Sequence, residues 1–189
     1  MIALIDYKMG NLQSVINAVE KVGEKAILPG VGAFGDAMKF LNQNGMSEAV
    51  KEFAAQGKPL LGVCLGMQLL FEKSEEFGSN AGLGLVSGEV VMFDKNRFDE
   101  KLKVPHMGWN SLKIKRENPL LKDINNGTYL YFVHSFHVVT DEKYTVALTH
   151  YGYDFVSAVQ KGNIFGFQPH PEKSHENGLK IYKNFVELK

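Results

Sequence analysis

The chain has 189 residues, 44% hydrophobic and 22% charged, which suits one domain, residues 1–189, with a sizeable core. Lys plus Arg and Asp plus Glu number 21 each, so the formal net charge is zero, which argues against nucleic acid as the main partner. The single cysteine excludes an internal disulfide framework, and no membrane span or basic leader is visible, so a cytoplasmic protein is expected.

Residues 2–5 form a short continuous apolar run, the pattern of a strand buried on both faces. Asn11 is placed to cap a helix in which Leu12, Val15, Ile16, Val19 and Val22 recur at helical spacing, ended by Gly23. Residues 26–28 read as a second strand, halted by Pro29-Gly30. Helical patterns follow at 35–43 and 47–56, with Gly57 as terminator. Leu60–Val63 is a third buried strand and runs into a helix carrying Met67, Leu69, Leu70 and Phe71. Alternation of strand and helix predicts βαβ units and a parallel sheet in this half.

The second half changes character. Short strands are predicted at 90–93, 112–115, 128–133, 144–149, 155–159 and 164–168, several alternating as antiparallel or edge strands do. A last helix at about 175–188 places Leu179, Tyr182, Phe185 and Val186 on one face. The expected fold is α/β: one three-layer domain with a mixed, mainly parallel sheet flanked by helices.

Gly62-Val63-Cys64-Leu65-Gly66 lies between a buried strand and a helix, the thiol version of a nucleophile elbow. Glycines flank the turn because a sharp bend crowds any side chain. The helix N-terminus favours thiolate, and the Leu65 amide is placed to donate to an oxyanion. A lone cysteine is ordinarily a small buried hydrophobe, but this context reverses that reading. Gln168-Pro169-His170-Pro171-Glu172 follows the last strand. A residue before proline is extended, and residues two apart on extended chain share a face, so His170 and Glu172 can enter one pocket. They supply the base and orienting group that a nucleophilic thiol needs. Pro29-Gly30-Val31-Gly32 also follows a strand of the parallel half, where its amides would meet the elbow if the strands are neighbours; a plain turn explains it equally well.

Further segments carry a resemblance. They are Ile5-Asp6-Tyr7, Gly10-Asn11-Leu12, Leu28 to Gly35, Gly62 to Phe71, Pro105-His106-Met107-Gly108-Trp109-Asn110, Tyr131-Phe132-Val133-His134-Ser135 and Gly166 to Ser174. Together the chain resembles class I glutamine amidotransferases, and within them the glutaminase subunits of imidazole glycerol phosphate synthases. The resemblance implies hydrolysis of L-glutamine to glutamate and ammonia through a Cys64 thioester, with His170 and Glu172 completing a triad. It implies Val31, Gly32 and Leu65 at the oxyanion, and Gly30, Gln68, Glu76, His134 and Ser135 around glutamine. It also implies a (β/α)8-barrel cyclase partner that uses the ammonia, with Asn11, Trp109, Tyr131 and Lys173 near that interface. Trp109 as plain core and Lys173 as a solvated charge are the plainer readings of those two. No cofactor and no metal are implied, and the six histidines are scattered.

The chain departs from the family pattern twice. Pro169 stands where an aromatic residue usually precedes His-Pro-Glu. Gly23-Glu24-Lys25-Ala26 joins the first helix directly to the second strand, where the family has a further strand and helical stretch. A crossover this short is physically possible, but a further segment between Glu24 and Lys25 is expected; a mass well above 21.1 kDa would show it, and a mass at that value would show a genuine deletion. Two alternatives differ in function: a paralogue supplying ammonia to a surface-sugar synthase, and a catalytically dead regulatory subunit, which should have lost a triad residue.

Overall fold

The computed structural model describes residues 2–5, 24–43 and 45–188. The predicted helix over residues 12–22, with Asn11 as cap and interface residue, lies outside them. In chain order the elements are β1 (Ile2–Leu4), β2 (Lys25–Leu28), α1 (Phe34–Gln43), α2 (Met46–Ala55), β3 (Leu60–Val63), α3 (Leu65–Leu69), β4 (Lys73–Ser74), β5 (Asn80–Ala81) and β6 (Glu89–Met92). There follow β7 (His106–Ser111), β8 (Lys113–Ile114), β9 (Tyr129–His134), β10 (Phe136–Val139), β11 (Thr145–His150), β12 (Asp154–Lys161), β13 (Ile164–Phe167) and α4 (His175–Glu187).

The main sheet runs β1-β2-β3-β13-β12-β10-β6-β4-β5, with β11 pairing to β12 and β8. Strands β7 and β9 form a separate antiparallel ribbon. Pairing is parallel from β1 through β2 and β3 to β13, and again between β4 and β6. Elsewhere among the described strands it is antiparallel. The sheet is mixed with flanking helices, as expected, and its parallel character belongs mostly to the first half. That end carries the elbow.

Successive residues of a strand face opposite sides, which builds the layers. Ala26, Leu28, Leu60 and Ile164 share a core with Phe34 and Leu41 of α1 and Val50 and Phe53 of α2. Ile27, Leu61, Phe165 and Phe167 face the other way, onto Ile181 and Phe185 of α4.

Helix α4 is rotated from its predicted phase. Its buried residues are Gly178, Ile181 and Phe185, while Leu179 is 62% and Val186 51% exposed. The cause is a close approach. A Cβ on Gly178 would lie 1.8 Å from the Pro171 carbonyl oxygen, so the helix docks by its smallest residue. Helix α3 is also shorter than predicted, with Leu70 and Phe71 buried beyond its end. Strands β4, β5, β7 and β10 are not among those predicted; in β7 the apolar residues Met107 and Trp109 alternate but face outward, while the polar His106 is buried. No helix among the described residues is long and apolar enough to cross a membrane.

Candidate active site

Cys64 sits between β3 and α3 with φ 53° and ψ −113°, a left-handed backbone that side chains rarely adopt. Its N–H donates to the Phe167 carbonyl at 2.8 Å, and its carbonyl accepts from the Gln68 N–H at 3.2 Å. Both flanking glycines are sterically required. A Cβ on Gly62 would lie 2.6 Å from the Gly66 oxygen, and one on Gly66 only 1.7 Å from the Leu28 oxygen. The second clash shows that the elbow rests against the end of β2, which places it beside the Pro29-Gly30-Val31-Gly32 loop. Helix α3, with five residues, starts directly after Cys64. The charged partner of Cys64 is His170.

His170 has extended backbone, φ −100° and ψ 96°, and its N–H donates to the Tyr131 carbonyl at 2.8 Å. The chain then turns through a 3-10 turn, Pro171–Lys173, so it is this turn and not an extended strand that returns Glu172 to the ring. His170 Nδ1 donates to Glu172 Oε1 at 2.6 Å. The Tyr182 hydroxyl donates to Glu172 Oε2 at 3.3 Å. Ser174 Oγ locks the turn, donating to the His170 carbonyl at 2.6 Å and accepting from the Tyr131 N–H at 2.9 Å. His170 Nε2 is buried and makes no hydrogen bond among the described residues.

Burial pulls the His170 imidazole down, but the Cys64 sulfur and the Glu172 carboxylate outweigh it and lift the group to about 9. Burial pushes Glu172 up, yet its bond to His170 wins and holds the carboxyl below its ordinary range. The ring is thus held protonated at neutral pH.

A cleft of about 760 Å³ opens over these groups. Of the residues singled out in the sequence, Val31, Gly32, Cys64, Leu65, Gln68, Glu76, His134, Ser135 and His170 line it. Gly30 does not, and Glu172 stands behind His170. Gly32 has φ 111°, with open space where a Cβ would be. Glu76 Oε2 accepts the Phe34 N–H at 2.6 Å, which fastens the start of α1 just after the Val31-Gly32 turn. Gln68 Nε2 donates to the Phe136 carbonyl and to Gln168 Oε1, both at 3.0 Å. Gln168 was missed as a site residue; it is fully buried, and its Nε2 lies 3.8 Å from Cys64 Sγ. Its place two residues before His170 was the available signal. Ser174 and Tyr182 had none, since their roles depend on how the turn and α4 dock.

Trp109 is 45% exposed, which removes its reading as core. It pairs with Tyr131 across the ribbon, their rings edge to face at 6.1 Å, and it stacks on His175 at 5.0 Å. Lys173 is exposed, and its Nζ lies 5.8 Å from the centre of the Tyr131 ring. This surface aromatic group backs directly onto the base, because the Tyr131 carbonyl holds the His170 N–H.

An elbow thiol, a carboxylate-bound imidazole and a glycine turn thus meet around one cleft. The chain belongs to the class I glutamine amidotransferase family, whose model matches residues 3–188. It is 57% identical over 205 residues to the imidazole glycerol phosphate synthase subunit HisH of Sulfurimonas denitrificans, covering 100% of this chain and 99% of that protein. It is 56% identical to the HisH of Wolinella succinogenes over 204 residues, covering all of both. These alignments span more positions than the 189 residues of this chain, so the relatives carry residues with no counterpart here. Among solved structures, a glutamine amidotransferase superposes with TM-score 0.66 at 17% identity, covering 98% of this chain and 97% of that one. PurLQS from Thermotoga maritima gives TM-score 0.68 at 20% identity, covering 98% and 96%. At those identities the likeness concerns the fold alone.

Proposed function

We propose that the chain is the glutaminase subunit of a cytoplasmic imidazole glycerol phosphate synthase, with Cys64, His170 and Glu172 as its triad. The observation that carries this is His170, fixed through Nδ1 to Glu172 at 2.6 Å and facing the same cleft as the Cys64 sulfur. The Cys64 thiolate attacks the glutamine carboxamide carbon. The Leu65 amide and the Val31-Gly32 turn receive the oxyanion. His170 Nε2–H protonates the amide nitrogen as its bond to carbon breaks, so that ammonia leaves and a thioester remains. His170, now neutral, takes a proton from water, which attacks the thioester and releases glutamate. Ammonia passes to a (β/α)8-barrel cyclase subunit. The 57% identity to a HisH protein supports the histidine-pathway acceptor over a surface-sugar synthase. An intact triad argues against a dead regulatory subunit.

The aromatic group around Trp109 is the proposed docking face, with Tyr131 and Lys173. Trp109→Ala should weaken cyclase binding by about 2 kcal/mol, the scale of an interface hot spot. The melting temperature of the free chain should move little, since the ring is half exposed. Titration calorimetry with the cyclase and a thermal melt decide this. Unchanged affinity with a large drop in melting temperature would refute the docking role.

The decisive assay measures glutamate release with and without the cyclase and its ligand. The isolated chain should be slow and the liganded complex fast, because one oxyanion donor is fixed by the elbow while the Val31-Gly32 turn can reorient. Val31→Pro removes the Val31 amide and should cost about 10²–10³ in turnover that the partner cannot restore. Cys64 should remain open to alkylation. Full activity in the isolated wild-type chain would defeat partner switching, and normal activation of a folded Val31→Pro variant would place the second donor elsewhere.

A further inference from the structure

A chain of hydrogen bonds leads from the β7–β9 ribbon to the nucleophile, and its proton directions can be assigned at every link. The Ser111 N–H donates to Asn110 Oδ1 at 2.8 Å, so the Asn110 amide nitrogen must face the other way. There it donates to the His150 carbonyl at 2.8 Å and meets His106 Nε2 at 3.3 Å. His106 Nε2 is therefore the acceptor, and the ring carries its proton on Nδ1. Nδ1 lies 3.2 Å from His134 Nε2, to which it donates. His134 must then carry its own proton on Nδ1, which donates to the Phe136 carbonyl at 2.7 Å. That carbonyl also takes the Gln68 Nε2 hydrogen, filling both lone pairs. The second Gln68 hydrogen goes to Gln168 Oε1, which turns the Gln168 amide nitrogen toward Cys64 Sγ.

Both imidazoles are built into place. The His106 ring is buried, stacked between Tyr151 at 4.0 Å and Phe132 at 4.9 Å. Burial pulls His106 down to about 4 and His134 well below its ordinary value. Each thus stays neutral where His170 is charged, so each ring has one donor and one acceptor. Reversing the His106 tautomer would set two lone pairs against each other at His134 Nε2.

We propose that His106 is a positioning residue for glutamine hydrolysis, acting through His134 and the Phe136 carbonyl to hold Gln68 and Gln168 against the Cys64 sulfur. The inference rests on the glutaminase reading above. His106 touches no reacting atom. Its contribution is a fixed donor at Nδ1, which satisfies His134 Nε2 and so holds the His134 ring against the Phe136 carbonyl that also takes Gln68. The same strand carries Trp109, so the chain begins on the proposed docking ribbon.

The test uses His106→Leu, His106→Asn and His106→Gln, each assembled with the cyclase and its ligand. The readouts are kcat and KM for glutamine, the alkylation rate of Cys64 by iodoacetamide, and the melting temperature. An asparagine amide reaches the place of imidazole Nδ1, whereas a glutamine amide reaches that of Nε2. His106→Leu should lower kcat about tenfold to hundredfold, as expected for a hydrogen bond chain ending on a charged group, with little change in KM. Cys64 alkylation should slow with it. His106→Asn should recover most of kcat and His106→Gln little, although glutamine fills the space better. A residue that only fills the core would give the opposite ranking, ordered by volume and by melting temperature. If His106→Leu does not fold, the asparagine and glutamine variants decide alone. Asparagine no better than glutamine, or wild-type kcat in all folded variants, overturns the proposal. A wild-type complex that releases no glutamate overturns the glutaminase reading instead.

Discussion

Cys64→Ala in the assembled complex is expected to reduce glutamate release by roughly 10⁴–10⁶, the scale seen when a triad nucleophile is removed. No neighbour can take over. Gln168 Nε2, 3.8 Å from the sulfur, is a donor and not a nucleophile. The fold should survive, because alanine keeps the Cβ and inherits the same φ of 53° without added bulk. Partner binding should also survive, since Trp109, Tyr131 and Lys173 stand on the ribbon and the turn behind the base. The informative control is synthesis from ammonium salts, which bypasses the thioester. The variant complex should retain it. Substantial glutaminase activity in Cys64→Ala would remove the triad assignment, and loss of ammonium-dependent synthesis would show damage beyond the nucleophile.

The parts of this site that could be read in the sequence are those whose chemistry is local. Gly62 to Gly66 announces an elbow because strand, glycine, thiol, glycine and helix adjoin. His170 and Glu172 are two residues apart, so their pairing needed only a short link, although the link is a 3-10 turn and not the extended chain expected. What could not be read depends on contacts between distant segments. Nothing near Gly66 indicates that the Leu28 carbonyl occupies the space of its missing side chain. Nothing near Glu76 indicates that it accepts the Phe34 N–H, 42 residues earlier. Gln68 meets Gln168 across 100 residues. The phase of α4 was misread for the same reason: hydrophobic spacing marks Leu179 and Val186, but the docking of Gly178 against Pro171 sets the rotation. The mixed sheet followed from composition changing halfway along the chain. The ribbon of β7 and β9 did not, since its apolar residues Met107 and Trp109 face outward, its buried residue His106 is polar, and its pairing with β9 is a tertiary choice.

His170→Asn should cost nearly as much as Cys64→Ala, because no other group near the sulfur is placed to take the thiol proton and deliver it to the leaving amide nitrogen. Glu172→Gln should be less damaging by about tenfold to hundredfold, as the orienting member of a triad contributes less than its base. The amide oxygen can still accept from Nδ1, and the Tyr182 hydroxyl still restrains the side chain. What the amide loses is charge. Cys64 and Glu172 together raise His170 from its ordinary 6.5 to about 9 against the pull of burial, so Glu172→Gln should lower it. The sign of the stability effect follows from that raised value. Protonated His170 stabilises the folded state fully below about pH 6.5, and this contribution is lost as pH rises through about 9. Glu172 is displaced in the other direction, so its contribution is present above its unfolded value and fades only in acid, outside this window. The melting temperature of wild type minus that of His170→Asn should therefore fall between pH 6.5 and 9, and fall at lower pH in the Glu172→Gln background. A difference that grows across that range, or a Glu172→Gln enzyme slower than His170→Asn, contradicts the assignment of base and orienter.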